Sequence, residues 1–221
     1  MSVSAIALLG VPGAGKGTIA AGIKAKISCV HLSTGDLLRN AVREESDAGK
    51  PAESYMKRGE LVPDDIILRI VMNKIDGGPG SVRYMFDGFP RTLSQAQLLK
   101  AGFDERGATL ERVFLLVVPE TVMLDRLSGR RICRKCGANF HVRNIPPRRE
   151  GVCDHCGGEL YQRPDDTDST ILNRLDIFHR QSDGLFSFYE EDGILTRIDS
   201  SGPWQDVVTH ILKLLHESAK L

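Results

Sequence analysis

The chain has 221 residues, enough to bury a full core, and its Lys plus Arg equals its Asp plus Glu at 29 each. No global field therefore draws it to nucleic acid or to lipid, and an anionic ligand must be held by locally clustered charge. No apolar run approaches the ~20 residues of a membrane span, and the start lacks a basic segment with a small-residue cleavage pattern, so a cytoplasmic protein with no membrane partner is expected.

Val3-Ser4-Ala5-Ile6-Ala7-Leu8-Leu9 reads as a buried parallel strand, and the residues after Lys16 have helical composition through Lys26. Between them lies Gly10-Val11-Pro12-Gly13-Ala14-Gly15-Lys16-Gly17-Thr18. This is the spacing of a phosphate loop: glycines let backbone N–H groups turn toward an oxyanion, the helix start adds partial positive charge, and Lys16 adds a full one. The usual hydroxyl after the lysine is replaced by Gly17 and comes one place later as Thr18. Direct magnesium coordination from the standard position is thus not expected.

Ser28 to Leu32 is a short strand-like run, with Cys29 read as a small core residue, and Ser33-Thr34-Gly35-Asp36 is a capping turn into the helix Leu37–Arg43. Glu44 to Pro63 is polar, with a short helical piece from Ala52 to Arg58, and reads as a small lobe. A longer helix runs from about Asp64 to Ile75, its apolar residues on one face and two acids at its start. Val82 to Asp87 is the next strand, which puts the Asp87 carboxylate at the sheet's C-terminal edge, where ligands of parallel sheets bind.

After the loop Gly88-Phe89-Pro90-Arg91-Thr92 a helix carries Gln95 and Gln97, and Val113–Val118 is a third buried strand. A helix follows from Glu120 to Leu127. Ser169–Arg180 is read as one helix, followed at Gly184 by a separate helical piece through Tyr189. Ile194–Asp199 is a last strand, and Trp204–Ser218 is an amphipathic closing helix. Strands separated by helices predict an α/β fold with a doubly wound parallel sheet.

The segment from Gly129 to Asp166 holds Cys133-x-x-Cys136 and Cys153-x-x-Cys156, followed by Gly137 and Gly157. Four of the five cysteines thus sit in two pairs whose spacing is that of zinc knuckles. The insert has few large apolar residues, so a structural ion would supply most of its folding energy, on the order of 10–16 kcal/mol in zinc-finger peptides. His141 and His155 stand near enough in sequence to replace a thiolate, and iron or cobalt would also accept such a site.

Taken in order, Gly10–Thr18, Ser33-Thr34-Gly35-Asp36-x-x-Arg39, Asp87-Gly88-Phe89-Pro90-Arg91-Thr92, Asp125-Arg126-x-x-Gly129-Arg130 and Arg163-x-Asp165-Asp166 resemble adenylate kinase, and the cysteine-bearing insert is similar to the zinc-binding lid of its long bacterial form. The resemblance runs from near residue 3 to about residue 205. It implies the P-loop nucleoside monophosphate kinase fold, with core segments 1–32, 63–125 and 165–221, an NMP-binding lobe at 33–62 and a lid at 126–164. The implied reaction is reversible transfer of phosphoryl from magnesium ATP to AMP, giving two ADP, in a monomer whose partners are small molecules.

Carried over residue by residue, the resemblance implies that Gly13, Ala14, Gly15, Lys16, Gly17, Thr18, Arg126, Arg130, Phe140 and His141 bind ATP. It assigns Thr34, Arg39, Met56, Gly88, Arg91, Gln95, Arg163 and Arg174 to AMP. Asp87 would meet magnesium through water, Cys133, Cys136, Cys153 and Cys156 would hold zinc, and Asp165 and Asp166 would orient the lid arginines. Catalysis would rest on Lys16 with Arg91, Arg126, Arg130, Arg163 and Arg174, since such transfer asks mainly for positioning and charge stabilisation. Thr92 stands where pyrimidine monophosphate kinases tend to have Asn, which favours AMP as acceptor, while a GTP donor stays open. Two other classes compete: a regulatory P-loop ATPase, which would turn over ATP without AMP, and a zinc-ribbon nucleic-acid binder, for which the insert's basic residues speak but aromatic interleaving is lacking.

Overall fold

The computed structural model describes residues 3–47, 49–80 and 82–218. In chain order the elements are β1 (Ser4–Gly10), α1 (Lys16–Lys24), β2 (Val30–Ser33), α2 (Thr34–Arg43), α3 (Gly49–Arg58), α4 (Asp64–Asp76), β3 (Arg83–Asp87), α5 (Leu93–Asp104), β4 (Thr109–Val117) and α6 (Glu120–Ser128). There follow β5 (Arg130–Cys133), β6 (Asn139–His141), β7 (Leu160–Tyr161), α7 (Asp168–Glu191), β8 (Leu195–Asp199) and α8 (Trp204–Ser218). The strands β2-β3-β1-β4-β8, in that spatial order, form a parallel sheet with β1 at its centre.

Side chains alternate across β1 with the period of a strand, and each face meets its own helices. Ile6 and Leu8 pack with Ile19 and Ile23 of α1 and Val207 and Ile211 of α8. Ala5, Ala7 and Leu9 face Val71 of α4, Leu99 and Phe103 of α5, and Leu185 and Tyr189 of α7. Burial on both faces accounts for the near-continuous apolar run Ala5–Leu9. Phe114 of β4 is fully buried in the first of these layers, so its truncation to Ala would cost about 3–5 kcal/mol.

Register sets the site. Ser33 of β2 pairs with Asp87 of β3, and Leu8 of β1 pairs with the same Asp87. The loops after β1, β2 and β3 therefore open along one edge of the sheet.

Several boundaries differ from the sequence reading, α2 starting at Thr34 and α3 at Gly49, and two of the differences have a packing cause. α7 runs unbroken for 24 residues through Gly184, which packs close to Leu93 of α5; a Cβ there would stand 3.3 Å from Leu93 Cδ2. Tertiary packing against α5 thus outweighs the glycine's low helix propensity. β4 starts at Thr109, ahead of its apolar run, because Thr109 and Leu110 pair with Ser4 and Ala5 of β1 and Glu111 ion-pairs with Arg83 of β3 at 2.8 Å.

The insert between α6 and α7 is a separate antiparallel sheet, β6-β5-β7. Its small core is Cys133, Phe140, Cys153 and Leu160. Two large apolar side chains are far too few to hold such a unit by burial alone. No helix is long and apolar enough to cross a membrane among the described residues.

Candidate active site

Gly10, Gly13 and Gly15 take φ of 141°, 83° and 92°, so the loop between β1 and α1 turns through conformations that side-chain-bearing residues rarely adopt. No side chain caps α1, which leaves its first N–H groups to the loop. Lys16 Nζ donates to Gly10 O at 2.7 Å and to Val11 O at 2.9 Å, which curls the ammonium back over the loop. Burial, with repulsion from Arg91, Arg174 and Arg130, pushes its pKa down to about 7 although Asp87 opposes the shift. Ser200, just after β8, braces the loop by donating to Ala14 O at 2.9 Å.

Asp87 stands at the end of β3 beside this loop and contacts His31 Nε2 at 3.2 Å. Its Oδ2 lies 3.5 Å, and Asn139 Nδ2 of the insert 3.3 Å, from where a Cβ on Gly17 would stand. Glycine at 17 thus lets a carboxylate and an amide of the insert both approach the start of α1. Arg126 of α6 donates from Nη2 to Ser201 O at 3.2 Å and from Nη1 to Ala14 O at 3.5 Å, which holds it against the phosphate loop.

The neighbouring loops carry the other charges. Arg91 Nε donates to Gly88 O at 2.8 Å, and burial and the nearby Arg39 lower its pKa. Arg39 is fixed on α2 by Asp36, with Nη2 2.5 Å and Nε 3.2 Å from Oδ1. Arg163, beyond β7, reaches the same Asp36 oxygen at 3.3 Å and so joins the insert to α2. Its pKa is pushed down to about 10 by burial and by Arg39 and Arg130. Arg174 of α7, also about 10 through burial, donates to Asp165 at 3.0 Å. Burial raises the Asp165 pKa, but Arg174, Arg39, Arg163 and Arg130 together hold it below the usual carboxylate range. Arg130 pairs two-pronged with Asp166.

A cleft of about 1880 Å³ joins these groups. Gly13, Gly15, Lys16, Gly17, Thr18, Arg39, Asp87, Gly88, Arg91, Arg126, Arg130, Arg163 and Arg174 line it, as do Phe140 and His141. Ala14, Thr34, Met56, Gln95, Asp165 and Asp166 are not among its lining residues. Thr34 is buried and donates to Gly88 O at 3.3 Å, and Met56 packs on the apolar layer beneath α4 and α5. Gln95 is buried behind the Arg91 loop: its Oε1 accepts from Arg91 N at 2.8 Å and its Nε2 donates to Asp64 Oδ1 at 2.7 Å. Thr92 caps α5, accepting from Gln95 N at 3.1 Å.

In the insert, the four thiol sulfurs of Cys133, Cys136, Cys153 and Cys156 all lie within 4.8 Å of one another. Cys133 and Cys156 Sγ are 3.4 Å apart, and Cys136 and Cys153 Sγ 3.5 Å, too far for disulfides and close to the edge of a tetrahedral thiolate site. The left-handed Gly137 and Gly157 make the knuckle turns. Neither candidate histidine belongs to this cluster. His155 lies tilted against Phe140 with ring centres 5.8 Å apart, and His141 Nδ1 accepts from Arg143 N and Asn144 N at 3.0 Å, which leaves Nε2–H to donate to Asp125 O at 3.0 Å. Phe140 contributes its ring to the small lid core.

The sequence reading missed Asn139, His31, Asp36 as a brace between Arg39 and Arg163, and the Ser200–Gly202 loop. The loop carried a usable signal, since it follows a strand of a parallel sheet at the ligand-binding edge. Asn139 carried none, because a three-residue strand in an insert has no readable facing.

A family profile described as adenylate kinase matches residues 8–194. The chain is similar to the adenylate kinase of Caldicellulosiruptor bescii, 44% identical over 208 residues that cover 94% of this chain and 97% of that one. It is equally similar to the adenylate kinase of Staphylococcus aureus strain Mu50, 44% identical over 210 residues covering 95% and 98%.

Proposed function

Since the chain belongs to the adenylate kinase family and is an ATP:AMP phosphotransferase, we propose how its residues divide the work of reversible transfer from ATP to AMP. The observation that carries the assignment is the crowding of Lys16, Arg39, Arg91, Arg130, Arg163 and Arg174 on one cleft. Burial first, and then repulsion from neighbouring cations, lowers the pKa of Lys16, Arg91, Arg163 and Arg174, and the phosphates of two nucleotides would relieve that repulsion.

The loop Gly10–Thr18 and Lys16 hold the ATP phosphates, and Arg126 closes over them. Arg39 and Arg91 grip the AMP phosphate as planar forks, a geometry lysine lacks. Arg130, Arg163 and Arg174, aimed by Asp166, Asp36 and Asp165, converge on the group in transit and stabilise its charge. Thr34, Met56, Gly88 and Gln95 are the residues assigned to the acceptor nucleoside, of which Gly88 lines the open cleft and the others stand behind its wall, and Phe140 and His141 shape the lid rather than contact the base through polar atoms. Magnesium carried with ATP supplies further charge neutralisation, and Asp87, a hard oxygen beside Lys16, is the residue fitted to hold it through water.

Segments 33–62 and 126–164 close on the remainder as two lobes, and closure excludes water. The four thiolates fit zinc, and because protein fills all four positions the ion is structural. The enzyme works as a cytoplasmic monomer. Replacing Arg91 by Ala tests the division of labour: turnover falls by two or more orders of magnitude and KM for AMP rises, while KM for ATP and the melting temperature hold. A fully active variant would remove Arg91 from the phosphate clamp.

A further inference from the structure

Asp64, the first residue of α4, does not line the cleft, yet both its carboxylate oxygens are spent on the segment that follows Arg91. Oδ1 accepts from Gln95 Nε2 at 2.7 Å, and Oδ2 accepts from Thr92 Oγ1 at 3.4 Å. Gln95 is 2% exposed and its other end, Oε1, accepts from Arg91 N at 2.8 Å. An amide side chain can turn over and exchange oxygen for nitrogen at almost no steric cost. Here both neighbours are one-way: an ionised carboxylate only accepts and a backbone N–H only donates. Turning the amide over would set oxygen against carboxylate and N–H against N–H.

We infer that Asp64 is a positioning residue that locks Gln95 in the one amide orientation that reads an adenine rather than a 6-oxopurine in the acceptor pocket. The inference rests on the proposal that Gln95 faces the acceptor base. In the locked orientation Gln95 has one N–H and one Oε1 lone pair left. Adenine offers an acceptor at N1 and a donor at its 6-amino group, which match that pair. Hypoxanthine and guanine offer a donor at N1–H and an acceptor at O6, which match only the reversed amide. Discrimination between the two classes therefore lies in a carboxylate that never touches the base. Leaving a buried polar pair mismatched is what makes such rejection strong.

The test uses Asp64→Asn, whose amide can serve as donor or acceptor and so releases the lock, and Asp64→Ala, which removes it. Initial rates are measured with magnesium ATP and either AMP or IMP, alongside Gln95→Met on the same panel. In both Asp64 variants kcat/KM for AMP falls, the IMP-to-AMP ratio rises about tenfold or more, and KM for ATP stays within about twofold. A general loss of structure would lower both acceptors together and leave their ratio unmoved, so an unchanged ratio in both variants overturns the lock. If Gln95→Met also keeps the wild-type ratio, the base-facing reading falls and the lock with it. If Gln95→Met flattens the ratio while Asp64→Asn does not, the lock alone fails.

Discussion

Arg130 and Asp166 are joined at the foot of the lid by two parallel hydrogen bonds, Nε to Oδ2 at 2.8 Å and Nη2 to Oδ1, and the Asp166 side chain has no solvent exposure. Arg174 Nη1 lies 3.8 Å from the same carboxylate. One buried anion thus aims Arg130, while Arg174, in ionic reach of it, is held by its hydrogen bond to Asp165 at 3.0 Å. Asp166→Ala leaves Arg130 without its partner, and loss of one member of a buried pair costs about 3–5 kcal/mol. We expect a lower melting temperature and a kcat reduced at least tenfold, because Arg130 is no longer held in line. A variant with normal kcat and melting would show that Asp166 neither supports the lid nor aims its arginine.

The four-cysteine cluster gives a different pattern. Among the described residues Phe140 and Leu160 are the large apolar members of the insert's core, so a zinc ion held by the four thiolates would be its main support. Chelation, or Cys153→Ser, lowers the melting temperature by many degrees and leaves the maximal rate at moderate temperature within a few-fold. Thermal scans before and after verified metal removal check this, and superimposable scans would refute the structural role.

Lys16 gives the pH dependence. In the free protein burial holds the Lys16 ammonium at a pKa of about 7, well below its ordinary 10.5. Phosphate beside the ammonium favours the charged form and raises the pKa toward the ordinary range. Between those two values the complex binds more protons than the free protein. ATP binding therefore takes up close to one proton at pH 8.5, and affinity weakens by up to tenfold per unit as pH rises above about 7. Calorimetry in buffers of different ionisation enthalpy reads the uptake directly. Lys16→Met should abolish it; uptake that survives the substitution would assign the proton elsewhere.

The glycine loop, the buried parallel strands and the cysteine knuckles were legible because each rests on local rules: glycines at special φ, apolar runs buried on both faces, and thiols at fixed spacing. Asp87 was placed correctly because strand register alone puts it on the ligand edge. What the sequence hid depends on where the chain returns. Gly184 stops a helix by propensity, yet the contact with Leu93 carries α7 straight through it. His141 is a plausible ligand by type, yet its ring nitrogens are both taken by backbone groups at the root of the lid. Gln95 was read as pointing at a base, and its partner Asp64, 31 positions earlier, is visible only once α4 and α5 are packed together.

The most direct measurement is ADP formation by the unmodified protein from magnesium ATP, with AMP present and with no acceptor. Our account predicts two ADP for each ATP consumed and a rate near zero when AMP is omitted. ATP consumption that proceeds equally well without AMP would contradict it, since a cleft arranged for transfer between two nucleotides would then be passing phosphoryl to water.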